Sequence, residues 1–348
     1  MGKNIIVFSD GTGQEGGKGN NTNVYKLFNE VLDRSPKQIA FYDRGLGTGW
    51  QKFTGNMAGM GISKNIQECY RFIFDNYESG DYESRDKIFL FGFSRGAATV
   101  RSLSSFIHYF GILPKARPEL IEQAYEIYEI GDKEQRKAKA DAFIARHHTM
   151  WCNIEFLGVW DTVAALGVPF KGLDLIVDRI PFFKHSFHDF RLSESVVHAR
   201  HALAIDEERL SFHPTLWDPE LHEGQTMKQV WFCGVHTDVG GGYPEIELSE
   251  IALDWMRREA KECGLKIYNE RKLAGNADGK MHDSREGISR YLRRKVRSWP
   301  SDTHGDPRIH TSVLERKRNP QNEMEPAYKP WILDGSPDYD IEPWSTDR

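Results

Sequence analysis

A doubly wound α/β fold is what this sequence predicts, on three observations. Five strand-length apolar runs are bulky and lack clean alternation, as expected for strands buried on both faces of a mostly parallel sheet. Segments carrying a helical apolar stripe lie between them, so helices should cover both faces. Each run also ends in a polar or glycine-rich loop, and in open α/β sheets the ligand crevice lies beyond the strand carboxyl ends.

The first run, Ile5 to Phe8, leads into Ser9-Asp10-Gly11-Thr12-Gly13. The second, Ile39 to Tyr42, leads into Asp43-Arg44-Gly45-Leu46-Gly47. A helix follows over 62–77, with Ile62, Ile66, Cys69, Tyr70, Ile73 and Tyr77 on one stripe. The third run, Ile88 to Phe91, enters Gly92-Phe93-Ser94-Arg95-Gly96 and a helix from Ala97 to Phe110. Residues from about 116 to 148 are charged and read as a solvated helical insertion. The fourth run, Ile154 to Val159, ends at Trp160-Asp161-Thr162, and residues 167–190 form an aromatic insertion without a steady period. The fifth, Val230 to Val235, ends at His236-Thr237-Asp238-Val239-Gly240-Gly241-Gly242. Ser249 and Gly264 bracket a last helical run from Glu250 to Cys263. Residues 1–318 read as one catalytic domain and 319–348 as a loosely docked tail.

Composition narrows the function classes. The chain of 348 residues is long enough to bury a sizeable core, and 39% hydrophobic with 28% charged residues is ordinary for a globular protein. A net charge of -5, from 46 basic and 51 acidic residues, argues against a nucleic-acid partner. No apolar run reaches the length of a signal-peptide core or a membrane span, so a cytoplasmic location is expected. Cys69, Cys152, Cys233 and Cys263 show no metal-like spacing and read as buried free thiols. No metal or cofactor is implied, and the oligomeric state is not legible.

The glycine-flanked Ser94 carries the chemistry. A serine on a tight strand-to-helix bend needs small neighbours, because the bend brings backbone against backbone, and its hydroxyl then stands clear at the sheet edge. Such a pentapeptide is weak alone. Here it follows an apolar strand and opens a small-residue helix, which is the context of a nucleophile elbow in an α/β-hydrolase-like fold. An elbow serine needs a base and an orienting carboxylate, and the loops downstream supply Asp161 and His236 in the chain order of that fold. Asp238, beside His236, is the rival carboxylate, and His310 is the rival base. The backbone amide of Arg95 is one candidate oxyanion donor, and Gly11 or Thr12 the second, with Asp10 bracing their turn. Gly11, Gly13 and Gly16 also fit a phosphate-cradling pattern, but no helix follows directly. His198 and His201 read as one face of an amphipathic helix; a metal pair would need a further ligand. Phe170, Lys171, Phe182 and Phe183 are candidates for a cap that accepts acyl chains and headgroups.

Read together, Phe8-Ser9-Asp10-Gly11-Thr12, Tyr42-Asp43-Arg44-Gly45-Leu46-Gly47-Thr48, Gly92-Phe93-Ser94-Arg95-Gly96-Ala97, Gly158-Val159-Trp160-Asp161-Thr162-Val163 and Gly234-Val235-His236-Thr237-Asp238-Val239-Gly240-Gly241-Gly242-Tyr243 carry a resemblance. The chain resembles, over about residues 4 to 316, the α/β-hydrolase domain family that includes phospholipase effectors of bacterial type VI secretion. That resemblance implies a triad of Ser94, Asp161 and His236 and hydrolysis of lipid esters, above all phospholipids; export by a dedicated secretion system stays open beside the expected cytoplasmic location. The effectors resembled are longer and carry membrane-anchoring regions, whereas this chain is close to a bare catalytic domain.

The expected function is therefore a serine hydrolase cleaving carboxylic esters through an acyl-enzyme, with a lipid as leading substrate, met at a membrane surface. The alternatives are a soluble small-ester esterase or thioesterase, and a non-catalytic binding module that retains the fold.

Overall fold

Alternation along β1 (Asn4–Ser9) shows why the apolar runs have no polar face. Ile5 and Val7 point into one apolar cluster, while Ile6 and Phe8 point into a second on the opposite face. Both faces of the sheet are covered, so the central positions Ile5 to Phe8 are apolar without alternation. The structure is a computed structural model and describes residues 2–11, 16–17, 19–45, 55–81, 84–163, 191–318, 328–334 and 338–344.

Among the described residues nine strands form one sheet. After β1 come β2 (Arg34–Ser35), β3 (Gln38–Asp43), β4 (Lys87–Phe93), β5 (Ile154–Trp160), β6 (Val196–Ala204), β7 (Thr226–Phe232), β8 (Arg308–His310) and β9 (Asp340–Glu342). Their order is β2-β3-β1-β4-β5-β6-β7-β8-β9, and every pairing except the short β2–β3 contact is parallel. The helices α2 (Gly55–Asn76), α3 (Arg95–Phe110), α4 (Leu120–Tyr128) and α5 (Lys133–His147) pack on one face. The other face is covered by α1 (Asn23–Glu30) and the helix Glu247–Glu262. The fold is thus the α/β, mostly parallel, hydrolase-like arrangement expected. The chain steps from β1 outward to β3 and then returns to β4 on the other side of β1, so the direction of winding reverses between β1 and β4. The loops after those two strands carry Asp10-Gly11 and Ser94, at the place where such sheets open a crevice.

Several expectations need correction. His198 and His201 lie on strand β6, not on a helix, and their three-residue separation sends them to opposite faces. The run to Val235 stops being strand at Phe232, and the last long helix begins at Glu247 rather than after Ser249. His310 does end a strand, though one of only three residues. Of the tail, the described residues 328–334 and 338–344 pack on the domain: β9 extends the sheet beyond β8, and Glu342 accepts hydrogen bonds from Lys228 at 2.9 Å and Trp255 at 3.1 Å. Trp331 packs edge-on against Trp231 and donates to the Ile205 carbonyl. The insertion near 116–148 is helical as expected, while residues 167–190 lie outside the described residues. Cys69, Cys152 and Cys233 are buried free thiols and Cys263 is half-buried. Among the described residues no helix is long and apolar enough to cross a membrane.

Candidate active site

Ser94 sits at the bend between β4 and α3 with φ 57° and ψ -118°, a backbone conformation that side chains rarely adopt. Close packing imposes it. A Cβ on Gly96 would lie 2.0 Å from the carbonyl oxygen of Ser9, so only glycine lets α3 start this near β1. The Ser94 amide donates to the Trp160 carbonyl at 3.1 Å, which ties the bend to the end of β5. The Arg95 amide opens α3, among the first N–H groups that lack an acceptor within the helix.

Asp161 follows β5 with φ 40° and is fully buried. Its Oδ2 accepts from His236 Nδ1 at 2.6 Å and from Arg297 Nη2 at 2.8 Å. Its Oδ1 accepts from Arg297 Nη1 at 2.6 Å and from the Ala204 amide at 3.0 Å. Burial alone would raise the carboxyl's proton affinity. The Arg297 guanidinium, with help from His236, outweighs it and holds Asp161 well below the usual carboxylate range.

His236 begins a five-residue helix after β7 and is nearly buried. Its ring lies between Phe93, 4.6 Å away by centroid, and Phe212, 5.0 Å away and edge-on. Gly240 makes the first contact feasible, since a Cβ there would lie 2.0 Å from the Phe93 ring. The His236 amide donates to Glu207 Oε2 at 3.3 Å. Glu207 is buried, which raises its carboxyl, but the two-pronged contact from Arg209 prevails and lowers it overall. With Nδ1 bound to Asp161, Nε2 is the nitrogen left to meet a hydroxyl. The Ser94 hydroxyl, one residue past the Phe93 ring, makes no hydrogen bond to that nitrogen in this structure.

The rivals are placed elsewhere. Asp238 Oδ2 accepts from the Val235 amide at 3.0 Å and its Oδ1 contacts His282 Nδ1 at 2.7 Å, so it braces the turn and does not orient His236. His310 stacks on Phe232 and meets Trp344, on the strand four positions along the sheet from β4, about 19 Å away at ordinary strand spacing. His201 accepts from the Thr162 amide at 3.1 Å, and burial with the Arg101 charge pushes its imidazole down to about 3.

Asp10 does brace its turn: Tyr42 and Thr22 hydroxyls donate to Oδ2 at 2.6 and 2.7 Å. Burial dominates these bonds and raises its carboxyl to about 6. The Gly11 amide donates to Asp10 Oδ1 at 2.7 Å, so the donor expected of Gly11 for an oxyanion is engaged within its own turn. Gly11 itself lies against Ser94, a Cβ on it falling 3.6 Å from the serine Cβ. Thr12, and the cap candidates Phe170, Lys171, Phe182 and Phe183, lie outside the described residues. Among the described residues no group of side chains is placed to hold a metal ion.

Sequence reasoning missed Arg297, Glu207 and Phe212. Arg297 ends the basic run Arg293-Arg294-Lys295-Val296-Arg297, and nothing local in the sequence marks its last member as buried.

Comparison with known proteins gives the family of the chain. The family described as the type VI secretion phospholipase effector Tle1-like catalytic domain matches residues 3–259. An uncharacterized protein of Saccharomyces cerevisiae, YEL023C, is 29% identical over 250 residues, covering 63% of this chain and 34% of the yeast protein. Two solved structures are also similar. One, an uncharacterized protein from Pseudomonas aeruginosa, has 18% identity and a TM-score of 0.48, covering 77% of this chain and 47% of that one. The other, a Tle1 effector bound to the VgrG spike of the type 6 secretion system, has 20% identity and a TM-score of 0.33, covering 70% of this chain and 52% of that one. This chain therefore spans about a third of the yeast protein and about half of each solved chain. The match takes in every loop that carries Asp10, Ser94, Asp161 and His236, and the chain belongs to the Tle1-like phospholipase effector catalytic-domain family.

Proposed function

We propose that this chain hydrolyses carboxylic ester bonds of phospholipids through an acyl-enzyme on Ser94. The observation that carries the reading is the buried Asp161–His236 bond of 2.6 Å, with the imidazole packed on Phe93, the residue before a serine at positive φ. His236 Nε2 takes the hydroxyl proton as Ser94 Oγ attacks the ester carbonyl, and returns it to the leaving alcohol. A water then gives its proton to the same nitrogen and attacks the acyl carbon, releasing the fatty acid and restoring the hydroxyl. Asp161 fixes the ring so that Nε2 faces the serine and stabilises the imidazolium that forms. The Arg95 amide supplies one oxyanion donor, and Thr12 remains the candidate for the second. The Ser94 side chain has to turn onto Nε2 first, a tightening common when substrate arrives.

A fluorophosphonate probe tests the serine. The intact chain should be labelled, and Ser94→Ala and His236→Ala should each lose the label and lower turnover by several orders of magnitude without unfolding the protein. An unlabelled, folded parent chain would instead favour a non-catalytic module. Activity that ignores lipid aggregation would favour a small-ester esterase.

A further inference from the structure

We propose that the surface formed by residues 208–210 and 290–296 docks on an anionic phospholipid bilayer and sets the mouth of the active site against the lipid plane. The proposal deepens the lipid-hydrolase reading and rests on it for its biological sense, though not for its test.

The two segments run antiparallel. Leu210 donates its amide to the Arg293 carbonyl, Lys295 donates to the Glu208 carbonyl, and Arg209 bridges Arg294. Their inner ends are parts of the site already described. Phe212 packs on the His236 ring, and Arg297 grips Asp161 while donating to the Phe212 carbonyl at 2.6 Å. Two residues of chain span at most about 7 Å, so Leu210 and Lys295 lie within that reach of Phe212 and Arg297.

The outer ends have the composition a bilayer surface recognises. Between Arg285 and Arg297 there are six basic residues and one acidic residue, in a chain whose net charge is -5. Only Arg297 is buried; Arg290, Arg293, Arg294 and Lys295 are exposed. Glu208 offsets Arg294 in part, at 2.7 Å. Among these cations stand apolar side chains that water should disfavour: Tyr291 is 61% exposed, Val296 45% and Leu210 36%. The Arg290 guanidinium lies over the Tyr291 ring at 4.9 Å, the pairing of cation and amphipathic ring that suits a headgroup layer. An open groove of about 530 Å³ runs between the two segments, lined by Leu210, Leu292 and these basic residues. A nucleic acid would answer the charge but offers no hydrocarbon to Leu210 and Val296. An anionic bilayer answers both.

Binding is read on the Ser94→Ala chain, so that it does not depend on turnover. Co-sedimentation with vesicles of phosphatidylcholine alone is compared with vesicles containing about a third phosphatidylserine. The anionic vesicles should bind at least about tenfold more tightly, since each basic side chain near such a surface contributes about a fivefold factor. That binding should weaken steadily with added salt. The pair Arg290→Glu with Arg293→Glu should lose at least about tenfold, and Tyr291→Ser with Val296→Ser should weaken binding at every salt concentration. Should the charge-reversed pair melt early, Arg290→Gln with Arg293→Gln and the salt series on the unaltered surface carry the same test. Equal binding to both vesicles, no effect of charge reversal, or tighter capture of a DNA duplex than of anionic vesicles would overturn the docking surface. Probe labelling of the parent chain without vesicle binding would sink this proposal alone. Vesicle binding without labelling would sink the hydrolase reading and leave the surface standing.

Discussion

Asp161 makes its four hydrogen bonds with two of its neighbours' cationic or potentially cationic groups, Arg297 and His236, and with one backbone amide. Arg297 is buried as completely as the carboxylate it holds. The pair is therefore an ion pair out of water, where losing one partner leaves the other charge uncompensated. Arg297→Met should lower unfolding stability by about 3–5 kcal/mol, measured by urea titration at neutral pH. It should also relieve the hold on the Asp161 carboxyl, so that this group takes a proton more readily. The acid limb of kcat/KM on a water-soluble ester should then move to higher pH. The sign for stability agrees: a carboxyl depressed in the folded state contributes stability above its ordinary range and loses it as pH falls through the folded value. An acid limb that stays in place in a folded Arg297→Met chain would show that Arg297 serves packing alone.

Among the elements, those with local signals were legible and those with distant partners were not. The strands β1, β3, β4, β5 and β7 announce themselves because each contains an unbroken apolar run of three or more residues. The Ser94 bend and the His236 loop announce themselves because close backbone approach demands glycine at Gly96 and Gly240. Strand β6 hides because its buried polar residues find partners far along the chain: Arg200 pairs with Glu259, and His201 with the Thr162 amide. The tail hides for the same reason, since Glu342 finds Lys228 and Trp255 only after β9 has docked. Glu342→Ala should leave the Trp255 indole N–H without its acceptor and cost about 1–3 kcal/mol, read as a lower urea midpoint. Lys228 is partly exposed and can turn to water, which limits the loss. A change under about 0.5 kcal/mol would mean that β9 contributes little to the stability of the sheet.

At the scale of the whole molecule, two of the three non-glycine positive φ angles among the described residues, and the buried carboxyls of Asp10 and Asp161, come together where the loops after β1, β4, β5 and β7 meet. Ser94 and Asp161 have positive φ there, and Asp10 is a buried carboxyl beside them. A fold tolerates such features only where the surrounding structure over-determines them, which is why they point to a site. Asp10 lets that cost be measured, because it joins three elements at once: its own turn after β1, Thr22 at the start of α1, and Tyr42 on β3. Burial raises its carboxyl from 3.8 to about 6. A group raised in the folded state contributes stability that is present below its unfolded pKa and lost as pH rises through the folded one. For Asp10 that loss should reach about 2 kcal/mol between pH of about 4.5 and 7.5. Asp10→Asn cannot titrate. It should be the less stable chain at both pH values, since one amide oxygen cannot replace two carboxylate oxygens that accept from Gly11 on one side and from Thr22 and Tyr42 on the other, but its deficit against the parent should shrink by that amount as pH rises. Urea unfolding of both chains at the two pH values measures the change. A deficit that stays constant would mean that Asp10 has the same proton affinity folded and unfolded, and that its burial carries no electrostatic cost at the edge where Ser94 stands.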